Sequence, residues 1–391
     1  MRVLMAVPDR RVRGGPPSHL YLLRDTLIER GVDVRSFVFG GRSPHESALA
    51  KIAGRLWDVV SFPWLLARAR PDIVQLNSAF DRKGVARDVF FVVICFVLRA
   101  KLVVKFHGSD LPFLRGGSRF WRLLAAAVVR GATMICVLSE EERAAFAVAY
   151  PGVRIEVVKN ALDFTRYSPS YDFRARYGIP DGVPLLLFVA RFIRSKGLTE
   201  VLEALALLRE TMDVRAALVG DGETRSEMEG LAARLGLGDA TTFTGYIPED
   251  DTVAAYCSAD VLVFPTYHQE GMPMVIFHSL AAGLPIITTH IRAAADWLEE
   301  PDNVVFVPPR DASALADAVR DLLQEPARAK QMRESGRRVA ALFDRRSVAE
   351  EFEALYRSLL ETSPGAGAPA EGGGGTGPGS SGPGDTRNLE A

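Results

Sequence analysis

Short runs of β-branched and aliphatic residues alternate with longer helical patterns from Arg2 to about Val158. The strand candidates are "RVLMAVP", "VDVRSFVF", "DIVQL", "KLVVKFHG", "TMICVLS" and "RIEVV", and helical stretches such as "PSHLYLLRDTLIERG" separate them. Strands separated by helices of about ten or more residues indicate βαβ units, in which the strands are parallel. The pattern therefore predicts a parallel α/β domain over residues 1–165.

The same pattern restarts after a polar, turn-rich stretch around residues 159–180. The new strand candidates are "PLLLFVARF", "VRAALVGDG", "TTFTGY", "VLVFPT", "LPIITT" and "VVFVPP". They predict a second doubly wound domain over residues 166–344, and the predicted fold class is α/β with two Rossmann-like domains facing a cleft. Ligands of such sheets collect beyond the carboxyl ends of the strands, so the loops at these ends form the candidate site.

Length, charge and cysteine content agree with this picture and narrow the function. The 391 residues exceed the roughly 250 to 300 at which a single core stops growing. The 47 lysines and arginines nearly balance the 48 aspartates and glutamates, which argues against general nucleic-acid binding. Cys95, Cys136 and Cys257 lie far apart in or beside apolar sequence and are expected to be reduced thiols. A cytoplasmic location is expected.

Three segments bear on membranes and order. The apolar run at the N-terminus is too short for a signal-peptide core and reads as a first buried strand. The most apolar segment, "VFFVVICFVL" at residues 89–98, is about half as long as a membrane span, so we expect a buried helix. Residues 362–391 are rich in Gly, Pro and Ser and are predicted to be a disordered tail.

Two strand-end loops of the first domain carry candidate chemistry. "RRVRGGPPSHL" places Gly14 and Gly15 ahead of a helix, where backbone and amides favour an anion, although an ordinary strand-to-helix turn is the alternative. "VVKFHGSDL" ends a strand with His107 and Asp110. We expect His107 to hydrogen-bond a hydroxyl-rich ligand, the alternative being a loop histidine bonded within the fold.

Three strand-end loops of the second domain suit a nucleotide. In "FVARFIRSKGL", Arg191 and Lys196 precede a helix and would clamp a diphosphate, the alternative being solvated surface charge. "LVGDGETRSEM" and "FTGYIPEDD" suit close approach by a nucleotide and pairing with a base edge. Each of these two is weak alone. Their candidate residues are Gly220, Asp221, Tyr246 and Ile247.

The stretch "HQEGMPMVIFHSLAAGLP" is the most informative of these loops. Pro273 suits a first helical turn, and the amides of residues 271–275 would face an anion. Glu270 would accept hydrogen bonds from sugar hydroxyls beside that anion. His278 shares a helix face with Met274 and could reach the same ligand; as a packing residue it would be a polar cost in an apolar helix. The donor-binding candidates here are Gly271, Met272, Pro273, Met274 and His278.

These motifs, in this order, resemble the retaining glycosyltransferases of family 4, which have the two-domain GT-B fold. The resemblance runs from about residue 1 to residue 361. It rests on the motifs "GGPPSHLYLLRDTLIERGVDV", "FHGSD", "VLSE", "KNALD", "ARFIRSKGL", "GDG" and "EGMPMVIFHSLAAGLP". It implies transfer of a sugar from a nucleotide sugar, a UDP- or GDP-sugar as co-substrate, with retention of the anomeric configuration and no other cofactor.

The resemblance also implies residue roles. Arg191 and Lys196 would neutralise the leaving diphosphate, His107 would contact the donor sugar, and Glu270 would bind its hydroxyls. Gly14 and Gly15 would close on the phosphates. His19 and Asp110 fall on the acceptor side. The sequence has no Asp-x-Asp pair, so no metal is expected. The helix at about 345–361 would pack back on the first domain.

One departure from the family pattern concerns His278. The family places a second glutamate there, where it usually holds the ribose, and an imidazole lacks the two-oxygen grip of a carboxylate on a diol. An active enzyme is the favoured interpretation. A catalytically silent GT-B protein that binds a nucleotide or a partner, and a nucleotide-sugar epimerase, stay open.

The acceptor is expected to be a glycan or lipid-linked saccharide in cell-surface polysaccharide or glycoconjugate biosynthesis. "GSRFWRLLAAAVVRGA" combines Arg119, Arg122 and Arg130 with Phe120 and Trp121, a composition that suits an anionic lipid surface, although such helices are more often simply packed. Peripheral contact with the inner face of the cell membrane is therefore a hypothesis.

Overall fold

A computed structural model of the chain describes residues 1–9, 15–39, 47–168, 171–268 and 271–361. Within these residues two parallel sheets of six strands each are present. The strands of the first are β1 (Arg2–Val7), β2 (Asp33–Val38), β3 (Ile73–Phe80), β4 (Lys101–Ser109), β5 (Met134–Val137) and β6 (Ile155–Val157). Those of the second are β7 (Leu185–Val189), β8 (Arg215–Val219), β9 (Thr241–Gly245), β10 (Val261–Phe264), β11 (Ile286–Thr288) and β12 (Val304–Phe306).

The strand orders are β2-β1-β3-β4-β5-β6 and β12-β11-β10-β7-β8-β9. Every strand pair is parallel, for example Val3 opposite Val34 in the first sheet and Leu187 opposite Ala217 in the second. In each sheet the chain builds outward in one direction and then reverses, which is the doubly wound arrangement. The predicted fold class is confirmed. The last strand of the first sheet ends at Val157, and the first strand of the second begins at Leu185.

Helices connect these strands. Those of the first half are α1 (Gly15–Glu29), α2 (Ala48–Ala69), α3 (Arg82–Val97), α4 (Leu111–Arg115), α5 (Arg119–Gly131) and α6 (Glu140–Ala149). The next group is α7 (Phe173–Tyr177), α8 (Leu198–Arg209), α9 (Arg225–Arg234), α10 (Glu249–Ser258) and α11 (Met274–Ala282). The last are α12 (Arg292–Ala295), α13 (Ala312–Gln324), α14 (Pro326–Ala341) and α15 (Arg345–Glu361). Short 3-10 turns form at Phe164–Arg166 and Arg194–Lys196.

Local sequence explains several helix ends. The hydroxyl of Ser139 caps α6 by accepting a hydrogen bond from the Glu142 amide at 3.2 Å, and three glutamates fill the first turn, where the helix dipole favours negative charge. Gly283 ends α11 in the left-handed conformation, which glycine adopts without strain. The start of α6 and the end of α11 therefore coincide with capping residues in the sequence.

The first sheet buries both of its faces, and alternate strand residues belong to different cores. Val3, Met5 and Val7 of β1 pack with residues of α1 and α15, whereas Leu4 and Ala6 pack with residues of α2, α3, α5 and α6. The predicted disordered tail, residues 362–391, lies outside the described residues.

Helix α15 returns to the first sheet after the second domain is complete. Arg345 pairs with Glu29 of α1 at 3.0 Å, and Arg30 pairs with Glu353 at 3.0 Å. Beneath them the fully buried Tyr356 hydroxyl donates to the side-chain oxygen of Gln75 on β3. The chain thus passes between the two sheets a second time.

The two passages lie side by side. The Leu162 amide donates to the Phe343 carbonyl at 2.8 Å, and the Arg345 amide donates to the Leu162 carbonyl at 2.8 Å. Leu162 and Asp344 form an isolated parallel bridge. The outgoing and returning segments are therefore tied to each other by backbone hydrogen bonds.

The expectation of a buried helix at residues 89–98 is wrong in part. Phe91, Val92 and Cys95 are buried and Val89 and Ile94 are half-buried, but the other five residues of the apolar run are exposed. The exposed fractions are 55% for Phe90, 50% for Val93, 72% for Phe96, 70% for Val97 and 53% for Leu98. A run of apolar residues cannot reveal which of its faces the fold covers. In the part of the chain that the structure describes, no helix is long and apolar enough to cross a bilayer.

The cysteines are free thiols, with Cys95 and Cys136 buried and Cys257 half-buried. Burial raises the pKa of the Cys95 and Cys136 thiols to about 12. Both therefore remain protonated at neutral pH and pack as small apolar groups.

A buried lysine, Lys105, lies on β4 beneath α15. Its ammonium nitrogen lies 2.9 Å from the Asn160 side-chain oxygen and 5.1 Å from the centre of the Phe352 ring. No carboxylate forms an ion pair with it in the described parts of the chain. Burial lowers the pKa of Lys105 to about 7, because a charge without such a partner is poorly solvated in a protein interior.

The substitution Lys105→Met should change how the free energy of unfolding depends on pH. Between about pH 7 and the ordinary lysine value of 10.5, the unfolded chain holds a proton that the folded chain has lost, so the free energy of unfolding rises with pH. The slope from this residue is at most about 1.4 kcal/mol per pH unit. Urea unfolding at pH 7, 8 and 9 should show a weaker rise in the variant.

The exposed Lys330 provides the control, and Lys330→Met should keep the slope of the parent chain. Equal slopes for Lys105→Met and the parent would contradict the assigned pKa.

Candidate functional site

The carboxyl ends of the two sheets meet at a backbone contact between His107 of β4 and Gly271 of the β10–α11 loop. A Cβ atom placed on Gly271 would lie 2.4 Å from the His107 carbonyl oxygen and 3.1 Å from the Gly108 Cα. Only glycine permits this approach. The contact brings strand-end loops of both domains to one place.

His107 is half-buried at this contact, and both of its ring nitrogens are buried. Its ring centre lies 4.9 Å from that of His19 on α1, which is 4% exposed. Neither ring nitrogen of His107 has a hydrogen-bond partner among the described residues. Burial lowers the pKa of His107 well below its ordinary value, and Lys105 and His19 add to the effect. At neutral pH the ring is therefore uncharged and offers one donor and one acceptor.

The turn after β7 carries the two predicted phosphate-binding cations. Arg191 is exposed and has no side-chain hydrogen bond or ion pair within the described residues. Lys196 is only 8% exposed, and its nitrogen lies 5.5 Å from the centre of the Phe264 ring. The backbone of Gly220 supports this turn from β8, because a Cβ there would lie 1.8 Å from the Ala190 carbonyl oxygen. Three strand ends thus interlock around the cations.

The nucleotide-side candidates differ in exposure. Asp221 accepts from the Gly222 amide at 2.8 Å and lies 3.4 Å from the guanidinium of Arg225. Tyr246 is 51% exposed, whereas Ile247 is 8% exposed. Only the backbone of Ile247 is left for a ligand, as the sequence interpretation required. These assignments stay predictions.

The β10–α11 loop is described in part. Glu270, like Gly14, lies outside the described residues, and Gly15 begins α1. Helix α11 begins at Met274, with Pro273 at the preceding N-cap position and not inside the first turn. Met272 is 8% exposed, and the Met274 sulfur lies 3.6 Å from the side-chain nitrogen of Asn160. Asn160 thus links the helix start to the interdomain segment.

His278 is engaged by two tyrosines. Its Nδ1 lies 2.6 Å from the hydroxyl of Tyr167, and its ring stacks on Tyr256 with centres 5.8 Å apart. These contacts offset the cost of a polar side chain in an apolar helix. Both the binding and the packing explanations for this histidine remain compatible with its position.

The two acceptor-side candidates have separate surroundings. Asp110 caps α4 by accepting from the Phe113 amide at 3.0 Å. His19 packs beneath the His107 ring. The structure thus gives Asp110 a structural function at the cleft, and it brings His19 to the ring of the candidate catalytic histidine.

Sequence reasoning missed the residues that brace the loop before Glu270. The Ser195 hydroxyl lies 2.9 Å from Nδ1 of His268, and the Tyr267 amide donates to the Ser195 carbonyl at 2.9 Å. Ser195 stands beside Lys196 in a quoted loop, which was the available signal. Arg292 was also missed: it donates to the Ser109 carbonyl at 2.8 Å and pairs with Glu141 at 3.2 Å across the domains.

A cavity of about 480 Å³ lies beside this loop, at the carboxyl ends of β10, β11 and β12. Its polar lining includes Tyr267, His268, His290 and Arg292, and Glu141 reaches it from the first domain. The described residues contain no cluster of three or more His, Cys, Asp or Glu side chains that would hold a metal.

Sequence comparisons match both halves of the chain. Residues 13–166 match the model of Glycosyltransferase Family 4, and residues 170–339 match that of Glycosyl transferases group 1. A GDP-mannose-dependent alpha-(1-6)-phosphatidylinositol monomannoside mannosyltransferase from Mycolicibacterium smegmatis is 28% identical over 255 residues, which are 61% of this chain and 64% of that protein. The chain thus spans less than two thirds of this relative's length.

Solved structures share the fold. Sucrose-phosphate synthase from Thermosynechococcus elongatus superposes with a TM-score of 0.74 at 22% identity, covering 93% of this chain and all of that one (100%). HepE from Anabaena, solved in complex with UDP, gives a TM-score of 0.71 at 20% identity, covering 92% and 100%.

Two doubly wound domains that meet at the carboxyl ends of their sheets are the arrangement of the GT-B fold, which these solved structures share. The chain belongs to glycosyltransferase family 4, since the two family matches together span 13–166 and 170–339. The resemblance inferred from the sequence is thereby confirmed.

Gly271→Ala tests the backbone contact between the domains. The added methyl would lie 2.4 Å from the His107 carbonyl, so the loops must separate, at a cost of about 1 to 3 kcal/mol for overpacking. Small-angle X-ray scattering should show a larger radius of gyration, with the secondary structure unchanged. Gly238→Ala is the control, because no atom lies within 4 Å of a Cβ there. Identical scattering from Gly271→Ala and the parent would count against the contact.

His278→Glu separates the binding and packing explanations. Tyr167 could donate to the new carboxylate as it now contacts the ring, and a carboxylate grips a ribose diol with two oxygens. We expect UDP or GDP to bind about 3- to 10-fold more tightly, about 0.7 to 1.4 kcal/mol, by calorimetry. The neutral control His278→Gln should not gain affinity. Unchanged affinity in His278→Glu would leave the histidine a packing residue.

Proposed function

We propose that the chain is a retaining, metal-independent glycosyltransferase that moves a sugar from a UDP- or GDP-sugar to an acceptor. The acceptor is a glycan or lipid-linked saccharide in cell-surface polysaccharide or glycoconjugate biosynthesis, and the enzyme works in the cytoplasm at the inner face of the membrane. One observation carries the proposal: His107, whose buried ring nitrogens have no partner among the described residues, lies at the backbone contact with Gly271 in the loop before α11. The GDP-mannose dependence of one relative and the UDP complex of HepE support the choice of donor.

The second domain supplies the charge stabilisation. The diphosphate lies at the carboxyl ends of β7 and β10, where Arg191 and Lys196 neutralise it and the first amides of α11 point at it. When the bond between the anomeric carbon and the diphosphate breaks, negative charge develops on the phosphate oxygen. Fixed cations and helix amides stabilise that charge without reorganising during the step. These groups take the part that a divalent ion has in other transferases.

The first domain and Glu270 hold the sugar. His107 is neutral at physiological pH, so it offers a hydrogen bond to a sugar hydroxyl without adding charge beside the developing phosphate. Glu270 accepts from further hydroxyls. The acceptor oxygen bonds to the anomeric carbon on the face that the diphosphate leaves, and its proton passes to the departing phosphate oxygen. This geometry retains the anomeric configuration.

A second candidate function rests on His278. Tyr167 and Tyr256 hold this ring where the family usually has a ribose-binding carboxylate. A catalytically weak or silent GT-B protein that binds a nucleotide or a partner would fit this feature. Such a protein would keep its nucleotide-binding groups. Nucleotide binding alone therefore does not distinguish it from an active transferase.

Glu270→Ala tests the transferase function directly. We expect sugar transfer to fall by about 100- to 1000-fold, as when one transition-state contact is removed, while nucleotide binding remains. The donor is found first by thermal shift with UDP-, GDP- and ADP-sugars, because a ligand at 100 times its dissociation constant adds about 2.7 kcal/mol. Transfer is then followed with that donor.

Glu334→Ala, on an exposed site of α14, is the matched control and should keep full activity. Full activity in Glu270→Ala would exclude the role given to Glu270. A thermal shift with no transfer to any acceptor, in the parent chain, would favour the silent nucleotide-binding protein.

A further inference from the structure

Helix α2 has two apolar sides, and the core covers only one of them. Phe62, Leu66 and Ala69 are buried against the first sheet. The opposite side presents large apolar residues at intervals of three or four, which places them on one stripe. Their exposed fractions are 81% for Leu49, 57% for Ile52, 62% for Leu56, 67% for Trp57, 71% for Val60 and 64% for Trp64.

The neighbouring helices extend this stripe. Helix α3 packs between α2 and α5. Like α2, both α3 and α5 carry exposed apolar side chains. On α3 these are Phe90, Val93, Phe96 and Val97, and on α5 they are Phe120, at 62%, and Leu123, at 71%. Together the exposed residues of α2, α3 and α5 form one surface, which we call the apolar face. A contiguous exposed apolar patch of this kind marks a binding surface.

The helices that carry the apolar face have an excess of positive charge. The three helices carry nine lysines and arginines but only two aspartates, Asp58 and Asp88. Asp58 is 9% exposed and Asp88 is 0% exposed, so neither carboxylate contributes much to the outer surface. The whole chain has a formal charge of −1. The three helices that present the apolar face are thus strongly cationic in a chain that is nearly neutral as a whole.

The arrangement of aromatic and cationic groups fits an interface between water and lipid. Trp57 and Trp64 lie on the stripe, and the Arg68 guanidinium lies 5.6 Å from the centre of the Trp64 ring. Tryptophan rings favour the headgroup region, where arginines extend toward anionic phosphates.

From this combination we propose that the apolar face docks on the surface of an anionic lipid bilayer. The bare apolar stripe enters the headgroup boundary, and the surrounding cations contact lipid phosphates. The sequence had pointed to α5 alone. The structure instead gives the larger share of the exposed apolar surface to α2 and α3.

The direction of the helices relates this surface to the cleft. Helices α2 and α5 follow β2 and β4, so their first turns lie toward the carboxyl ends of the strands, where the cleft opens. Leu49, Ile52, Phe120 and Leu123 therefore lie on the cleft side of the apolar face. A lipid-linked acceptor held in the bilayer would reach the cleft there. This inference deepens the proposed function by naming the surface that receives the acceptor, and its purpose rests on that function.

Vesicle binding by the full chain tests the proposal. Sedimentation with phosphatidylcholine vesicles containing phosphatidylglycerol should carry the protein down, and added salt should weaken the binding because the contacts are partly ionic. Phosphatidylcholine alone should bind more weakly. The emission of Trp57 and Trp64 should shift to shorter wavelength as the rings enter the headgroup region.

The stripe is interrupted with Leu56→Glu and, separately, Val60→Glu. Each should reduce the affinity for anionic vesicles by about tenfold or more, since a charge replaces apolar surface at the interface. Val148→Glu on α6 is the matched control, because Val148 is 83% exposed but lies outside the apolar face. It should bind as the parent does. Circular dichroism and nucleotide binding show that each variant is folded.

Several results would overturn the proposal. One is a parent chain that does not sediment with anionic vesicles. Another is equal loss in Val148→Glu and Val60→Glu. A dimer in analytical ultracentrifugation that Val60→Glu dissociates, without vesicle binding, would assign the face to a second copy of the chain. Transfer to a water-soluble acceptor should survive in Val60→Glu, so failure of the membrane proposal is distinguishable from failure of the transferase.

Discussion

The site depends on the approach of two backbones, the carbonyl of His107 at the end of β4 and Gly271 before α11. A single methyl group at Gly271 would meet that oxygen at 2.4 Å. This contact joins a neutral imidazole from the first domain to a helix N-terminus and a cationic turn from the second. Neither domain holds all of the candidate groups, because His107 comes from the first sheet and Arg191 and Lys196 follow a strand of the second.

Much of the architecture follows from periodicity, and less of the site does. The repeated strand and helix pattern was sufficient for both sheets, since strand burial leaves a strong apolar signal. Loops at strand ends then pointed to Arg191 and Lys196, which the structure places on one turn. The partners of His278 had no such signal, because Tyr167 lies 111 residues away in sequence. Pairs so distant in sequence depend on how the elements pack in three dimensions, which the pattern of a single sequence does not show.

The apolar run of α3 illustrates the same limit from the other side. Its ten residues suited a buried helix, yet the fold covers Phe91 and Cys95 and leaves Phe90 and Phe96 outside. An apolar sequence indicates that a surface will avoid water. It does not show which part of the fold, or which binding partner, covers that surface. Beneath the other face of the sheet, α15 covers Lys105 and Gln75, two polar residues within apolar strands. Tyr356 of α15 donates to Gln75, whereas the ammonium group of Lys105 donates to Asn160 of the outgoing segment.

That return has a mechanical consequence. The outgoing segment at Leu162 and the returning segment at Asp344 and Arg345 are hydrogen-bonded to each other. The domains are therefore joined by two adjacent backbone segments and not by a single one. Two segments held side by side resist twisting of one domain relative to the other. Bending of the domains about one axis is then the easier motion. The Arg292 contacts with Ser109 and Glu141 form a second link between the domains. With the first domain docked on a membrane surface, this bending would move the second domain as one body relative to the membrane.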